Sequence, residues 1–328
     1  MMEQRPLGKT ATTVSAVGMG CGGLSEGYGP TNDEQSLETL EAALDHGVNF
    51  FDTSDVYGQG HGERLLGQFL RRHPGATRVA TKFGLVMNPG APPTINNSPA
   101  YVSAACDASL KRLGVEAIDV YYIHRRNADV PIEDVVGAMA ELVRAGKVHH
   151  IGLCEVSPAT LQRAVKVHPI AAVQSEYSLW TRDPERGVLD ACREFGVTFV
   201  AYCPLGRGVL TGEVTSLEAL DAKDFRRRLP RFQPAALDKN LSLVHSLDEF
   251  ASRHSATRAQ VALAWLLCRN SSVIPIPGTK RVSYVAQNAA ATRVKLSAAE
   301  IKHLDELFAP SAVTGERYPA PAMQGIEI

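Results

Sequence analysis

The chain has 328 residues, with 34 Lys and Arg against 35 Asp and Glu and a formal net charge of −1. That balance excludes the strongly basic surface of a general nucleic-acid binder or a polybasic membrane patch, and no apolar run nears the roughly 20 residues needed to cross a bilayer. Cysteines at 21, 106, 154, 192, 203 and 268 form no C-x-x-C pair and no Cys/His spacing suited to zinc. The polar start at 1–6 lacks a basic-then-apolar leader, so a cytoplasmic protein with reduced thiols and no metal is expected.

In chain order, 4–7 and 12–14 flank Gly8-Lys9 and read as a β-hairpin that caps a barrel floor. β-Branched and aromatic runs predict strands at 15–20, 48–52, 78–82, 117–124, 148–153, 170–174, 198–202 and 272–275. Amphipathic stretches predict helices at 33–46, 63–72, 99–113, 131–145, 157–167, 184–195 and 257–269, with a short helix after Gly278. Gly47, Gly75, Gly114, Gly146 and Gly196 each separate an amphipathic stretch from an apolar run, where helices commonly end in the left-handed conformation. Eight strands, each followed by helix at a spacing of about 25–50 residues, predict an α/β fold. The expected architecture is a single (β/α)8 TIM barrel over 1–328, undivided by any Pro/Gly/Ser linker. The loop at 83–99, with Pro89, Pro92 and Pro93, and the loop at 210–240 both follow strands. They are expected to overhang the mouth, where barrel loops carry function.

Asp52, Lys82 and His124 stand at the carboxyl ends of three runs, VNFFD, RVATK and AIDVYYIH, and Tyr57 follows Asp52 on the next loop. A strand buried on both faces has no ordinary use for such ends, because desolvating them costs free energy. In a closed barrel strands two, three and four end side by side, so the three residues converge and Tyr57 folds back over them. A free phenol titrates near 10, too high to act alone near neutrality. An ammonium in reach lowers that value, a carboxylate holds the ammonium, and an imidazole donates to the substrate oxygen. Taken singly, Asp52 reads as a helix cap, Lys82 as a snorkelling chain and His124 as a satisfied core histidine. Taken together they predict a site that protonates a carbonyl oxygen.

The segments FDTSDVYG (51–58), ATKFG (80–84) and DVYYIHR (119–125) resemble the aldo-keto reductase signatures. Further matches are GKVHHIGL (146–153), QSEYSL (174–179), AYCPLGRGVLTG (201–212) and IPIPGTKR (274–281), over nearly the whole chain. The nearest branch holds aryl-alcohol-dehydrogenase-like and pyridoxal-reductase-like members. The resemblance implies a (β/α)8 barrel, NADPH (NADP+) as cofactor and a small-molecule carbonyl substrate, with no nucleic-acid or membrane partner. It implies Tyr57 as proton donor, Lys82 and Asp52 as its tuning pair, and His124 as the group that positions the carbonyl. By the same resemblance Gln174 bonds the nicotinamide amide and Tyr202 stacks on its ring. Pro204, Leu205, Gly206, Arg207, Gly208 and Leu210 form the loop over the pyrophosphate, where glycines let backbone N–H groups approach phosphate. Gly278, Thr279, Lys280 and Arg281 open the last barrel helix, with Gln287 and Asn288 further along it. A helix N-terminus with two cations suits a 2′-phosphate, although such residues are also ordinary solvated surface. Cys154-Glu155 replaces a Ser-Asn pair common among relatives. A carboxylate only accepts, so Glu155 is expected to meet the amide NH2 or a nearby cation. Tyr284 replaces an adenine-stacking Arg, a role that an aromatic also fills.

Two other functions suit this pattern: an NADPH-binding redox sensor like the voltage-gated potassium channel β-subunits, and an NAD-linked sugar or alcohol dehydrogenase. Gly18-Met19-Gly20-Cys21-Gly22-Gly23 satisfies G-x-G-x-x-G but lacks the immediate helix that the dinucleotide fingerprint requires. It reads as a glycine-rich loop at the mouth, and His61 reads as solvent-facing. Arg226, Arg227, Arg228 and Arg231 either meet phosphate or an acidic substrate, or belong to a solvated loop. Arg125 and Arg126 either touch an anionic substrate or pair with Asp129, Glu133 or Glu176; pairing is expected. The tail with Arg317, Tyr318 and Met323 either folds over the pocket or packs outside it.

Overall fold

The structure, a computed structural model, describes residues 2–25, 27–88, 90–91 and 93–327. Pro89 and Pro92 of the loop at 83–99, and Met1, lie outside the described residues.

From the N-terminus, β1 (Gln4–Pro6) and β2 (Thr13–Ser15) pair antiparallel, with Arg5 opposite Val14. The predicted strand at 15–20 divides: Ser15 ends this hairpin, and only β3 (Met19–Gly20) enters the barrel. Asn49 accounts for the division. Its side chain accepts the Ser15 N–H at 2.6 Å, and the Ser15 hydroxyl accepts the Asn49 N–H at 3.0 Å, which stitches the hairpin to the barrel floor. α1 (Asp33–Asp45) starts where the Asn32 side chain accepts the Gln35 N–H at 3.0 Å. β4 (Phe50–Asp52), α2 (His61–Arg72) and β5 (Arg78–Phe83) follow. β6 (Leu85–Val86) and β7 (Thr94–Ile95) form a small hairpin in the loop at 83–99, which the sequence pattern did not reveal. α3 (Pro99–Leu113) ends at Gly114, φ 68°, ahead of β8 (Ile118–Ile123).

The alternation continues through α4 (Ile132–Arg144), β9 (Val148–Cys154), α5 (Pro158–Ala164), β10 (Ile170–Glu176), α6 (Val188–Phe195) and β11 (Thr198–Tyr202). The predicted helix at 184–195 is broken at Gly187 (φ 123°), behind a 3-10 turn over Asp183–Arg186. The loop at 210–240 holds two further 3-10 turns and the start of α7 (Pro234–His245). Then come α8 (Leu247–Arg253), α9 (Arg258–Arg269), β12 (Val273–Pro275), α10 (Val282–Ala290) and α11 (Ala298–Leu307). α7, α8 and α11 were not predicted. α11 carries a readable signal, a capping box in which Ser297 and Glu300 satisfy each other's backbone N–H groups.

Eight strands form one parallel sheet in the order β3-β4-β5-β8-β9-β10-β11-β12. The ring closes where Gly18 N–H donates to Pro275 O at 3.0 Å and Gly20 N–H to Pro277 O at 3.4 Å. Glycine is required at this seam: a Cβ on Gly20 would lie 2.9 Å from Ile276 O, and one on Gly278 2.8 Å from Gly20 O. The chain is therefore a (β/α)8 barrel. Among the described residues no helix is long and apolar enough to cross a membrane.

Side chains on a strand alternate between faces, and here the parity decides what lies inside. Phe50, Ala80, Val120, Tyr122, Ala172, Val200 and Ile274 form the barrel interior, with Leu7 and Val14 of the hairpin beneath them. Phe51, Val79, Tyr121, Ile123, Val173 and Phe199 face the helices instead. Counting two residues onward from the interior set gives Asp52, Lys82, His124 and Gln174. These four crown the apolar interior at the carboxyl ends of their strands.

Candidate active site

A cavity of about 860 Å³ opens over that crown. Asp52, Tyr57, His124, Cys154, Gln174 and Tyr202 line one end of it; Lys280, Arg281, Tyr284, Gln287 and Asn288 line the other. Lys82 and Asp52 are 1% and 2% exposed and form an ion pair. Lys82 Nζ also donates to Thr53 O at 2.8 Å, and Gln174 Nε2 donates to Asp52 Oδ2 at 2.8 Å. Asp52 is thus a counter-ion inside the site and not a helix cap. Burial pulls the Lys82 ammonium down, but the charge of Asp52, with Tyr57 and Cys154, outweighs it and keeps the lysine protonated.

Lys82 Nζ stands 5.2 Å from the centre of the Tyr57 ring, and the Tyr57 and His124 rings meet edge to face at 6.0 Å. The phenol does not titrate where the residue types alone suggest. Burial pushes Tyr57 up to about 12, and the lowering by Lys82 only offsets part of that rise. In this state Tyr57 is a protonated donor, and the ammonium supplies its stabilisation only as negative charge develops on the phenol oxygen.

His124 lies well below its ordinary value, first through burial and then through the cations Arg125 and Lys82, so its ring is neutral. One ring nitrogen then donates and the other accepts. Ser54 Oγ lies 3.1 Å from both His124 Nδ1 and Asp55 Oδ1. A serine has a single proton to donate, so the direction of this chain selects the histidine tautomer. If Ser54 donates to an ionised Asp55, His124 Nδ1–H donates to Ser54 and Nε2 is a bare acceptor. If Asp55 is protonated, it donates to Ser54, Ser54 donates to Nδ1, and Nε2–H faces outward as a donor. Burial, then the Glu63 carboxylate, push the Asp55 carboxyl up to about 7. Neither Ser54 nor Asp55 was singled out from the sequence, although both stand inside the FDTSDVYG segment.

The expected cofactor residues divide into two groups. Cys154, Gln174, Tyr202, Pro204, Leu205, Arg207, Gly208, Gly278, Thr279, Lys280, Arg281, Tyr284, Gln287 and Asn288 line the cavity, while Glu155, Gly206 and Leu210 do not. Glu155 is a correction in detail. It is 0% exposed, and its carboxylate accepts from Arg317, from Tyr202 O–H at 2.6 Å and from Glu176 N–H at 3.0 Å. Its partner is a cation, and it sits behind Tyr202, fixing that ring as the cavity wall. The Arg207 charge is likewise committed: it grips Glu176 at 2.6 and 3.0 Å, which with Arg317 holds that carboxyl at about 2 despite its burial. Arg207 sits at φ 55° and Gly208 at φ 100°, bending the loop along the cavity rim.

At the far end Lys280 Nζ donates to Tyr28 O at 2.8 Å and Pro30 O at 2.9 Å, tying the last barrel loop to the first. Arg281 donates to Tyr284 O–H at 2.9 Å. Neither makes an ion pair among the described residues, whereas the nearby Arg226 is paired with Asp224. A cavity lined both by a buried acid–base cluster and by two cations without ion pairs beside a helix N-terminus fits a phosphorylated ligand.

The glycine loop after β3 contributes Gly20, Gly22, Gly23 and Gly27 to the lining, as a mouth loop with α1 only from Asp33. A Cβ on Gly22 would lie 3.3 Å from the Tyr57 ring. His61 pairs with Asp33 at the start of α2. Of the loop arginines, Arg226 lines the cavity while bound to Asp224, and Arg231 is a structural tie, donating to Trp180 O at 2.8 Å and Thr181 Oγ1 at 2.6 Å. The tail folds inward: Arg317 is buried between Glu155 and Glu176, and Tyr318 lines the cavity. The expected pairing of Arg125 with Asp129, Glu133 or Glu176 is not what the structure has. Arg126 pairs with Glu327 at 2.5 Å, and Arg125 forms no ion pair among the described residues. Tyr28 and Phe225, absent from the expected site, meet edge to face at 4.8 Å over the cavity, Arg226 stacking on Tyr28 at 5.1 Å. Contacts between loops so distant in sequence leave no local signal.

Comparisons with known proteins agree with this geometry. The Aldo/keto reductase family model matches residues 16–309. The chain is 44% identical over 316 residues to the aldo-keto reductase yakc, NADP(+), of Schizosaccharomyces pombe, covering 94% of this chain and 93% of that protein. A glycerol dehydrogenase of Gluconobacter oxydans shares the fold with a TM-score of 0.85 and 27% identity, over 94% of this chain and 96% of the other. An aldo/keto reductase of Klebsiella pneumoniae, solved with NADP and acetate, matches with a TM-score of 0.74 and 26% identity, over 97% and 99% of the two chains.

Proposed function

Since the chain belongs to the Aldo/keto reductase family, we propose that it is an NADPH-dependent oxidoreductase that reduces aldehydes or ketones to alcohols, with Tyr57 as proton donor. The observation that carries this reading is the buried Lys82–Asp52 pair, with Lys82 Nζ 5.2 Å from the centre of the Tyr57 ring that lines the cavity. The naming of the yeast relative and the NADP of the Klebsiella structure support the choice of cofactor. Bound in the cavity, NADPH supplies the hydride that the carbonyl carbon accepts.

The protein's own residues do the rest. Gln174, held by Asp52, and the Tyr202 wall, held by Glu155, fix the orientation at the reacting end. Lys280 and Arg281 bind the 2′-phosphate at the other end. His124 Nε2–H and Tyr57 O–H converge on the carbonyl oxygen; Tyr57 gives its proton as charge builds there, and Lys82 stabilises the phenolate left behind. The apolar barrel interior beneath the crown excludes water from that side of the transfer.

The test combines an NADPH fluorescence titration with the decay of NADPH absorbance on a nitro-substituted benzaldehyde and several other carbonyls. Tyr57→Phe is expected to lose about 10²–10⁴-fold in turnover while NADPH affinity barely changes. Tight NADPH binding by the native protein without turnover of any carbonyl favours a sensor and rejects the reductase. Near-native turnover in Tyr57→Phe rejects Tyr57 as the acid.

A further inference from the structure

Five cations line the cavity: Arg125, Arg207, Arg226, Lys280 and Arg281. Arg207 is neutralised by Glu176 and Arg226 by Asp224. Lys280 and Arg281 stand together at the far end, where the proposed function places a phosphate. Arg125 remains. It follows His124 directly at the reacting end, and among the described residues it makes no ion pair; its hydrogen bond runs from Nη1 to the His124 carbonyl oxygen at 2.8 Å.

The surroundings explain why Arg125 stays unpaired. Glu155 and Glu176, the buried carboxylates behind the Tyr202 wall, are already gripped by Arg317 and Arg207. Glu327, in the tail beside it, is taken by Arg126. Burial opposes the Arg125 charge, but a guanidinium keeps its proton at any working pH, and the Glu155 carboxylate favours it. Tyr318 stands beside it but is already engaged: its oxygen accepts from Arg207 Nη2 at 2.8 Å and lies 3.3 Å from the Tyr202 oxygen, whose own proton goes to Glu155. A half-buried cation without a counter-ion costs solvation energy that a bound anion recovers.

We propose that Arg125 anchors a carboxylate on the substrate, so that the carbonyl compounds this protein selects are aldehyde or keto acids. This rests on the carbonyl-reductase reading above and names the substrate class for it. A single guanidinium compensates one negative charge with a planar fork that matches a carboxylate. A phosphate dianion at this end would keep a second charge uncompensated.

The test uses the NADPH-loaded protein and three matched aldehydes: 4-formylbenzoate, its methyl ester and 4-formylphenyl phosphate. The readout is the ratio of kcat/KM for 4-formylbenzoate to that for the ester. The native ratio is expected to favour the acid. Arg125→Met should lower it roughly ten- to hundredfold, the size of one charge-assisted hydrogen bond, mainly through KM, and Arg125→Lys should restore part of it. Calorimetric binding of benzoate against benzamide to the NADP+-loaded protein should shift in parallel. A native ratio near one, or a ratio that Arg125→Met leaves unchanged, overturns the proposal. A larger preference for the phosphate that also depends on Arg125 overturns the carboxylate assignment. If the native protein reduces none of the aldehydes, the reductase reading fails, and benzoate binding still decides the anion site. If Arg125→Met does not fold, by thermal melting, the native ratio and Arg125→Lys decide.

Discussion

Asp55 sets the expected pH response of this site. The proposed reduction uses a donor at His124 Nε2, which the Asp55–Ser54–His124 chain provides only when Asp55 is protonated. Burial, with Glu63 as the charged contributor, places that carboxyl at about 7, while Ser54, Arg112 and the Val56 N–H oppose the rise. Tyr101 and Tyr121, the other titratable groups facing it, stay neutral in this range. As pH rises through that value the proton leaves, the chain reverses, and the donor becomes an acceptor. For a single titration kcat/KM for reduction should fall about tenfold per pH unit above the midpoint, hence roughly a hundredfold by about pH 9. Tyr57, at about 12, and the already neutral His124 contribute nothing across that interval. Asp55→Asn fixes the direction, because its amide N–H donates to Ser54 at every pH, so this variant should be flat from pH 7 to 9 at near its low-pH rate. Glu63→Gln should move the midpoint downward. The assay is NADPH absorbance decay with one neutral aldehyde across pH, with cofactor binding measured alongside. A native profile that is flat over this range, or an Asp55→Asn profile that keeps the fall, refutes the reasoning.

Three further outcomes are expected. Lys82→Met leaves the Asp52 carboxylate buried without its ion pair, and Asp52→Asn leaves the ammonium likewise; each should cost about 3–5 kcal/mol, while the double variant costs less than their sum. Denaturant titration of the four proteins tests this, and strict additivity counts against the coupled pair. Replacing Lys280 and Arg281 together by Ala should weaken NADPH binding by at least about tenfold and leave NADH binding nearly unchanged; equal loss for both nucleotides removes the phosphate assignment. Gly152→Ala places a methyl 2.3 Å from the buried Tyr122 ring, its partner across the β8–β9 ladder. This overpacking should cost about 1–3 kcal/mol, and an unchanged melting temperature would show that the ring moves aside freely.

Much of the site was legible because it obeys strand parity. Asp52, Lys82, His124 and Gln174 share the face of Phe50, Ala80, Tyr122 and Ala172, so the alternation that fills the barrel also carries polar ends to its mouth. The loop after β11 and the last barrel helix came from the resemblance of AYCPLGRGVLTG and IPIPGTKR to family segments, and of the residues so named there only Gly206 and Leu210 do not line the cavity. The Tyr57 titration was misjudged because burial, absent from a string of residues, outweighs the lysine. The Arg125 and Arg126 pairings were misassigned for a related reason: Glu327 of the tail claims Arg126, 201 residues away. α7 begins inside the stretch read as a loop at 210–240 and α8 lies beyond it, and both escaped because their apolar residues gain burial only against the barrel wall.

The chain's own pattern of apolar periods, glycine stops and polar strand ends determined the barrel, its direction and the residues at its crown, because those signals act between near neighbours. Only the folded molecule decided which charges cancel. Glu155, Glu176 and Glu327 are claimed by Arg317, Arg207 and Arg126 across the mouth. Coulomb energy depends on distance in space and on the water excluded between the groups. Neither is written along the sequence, and together they leave Arg125 charged beside His124.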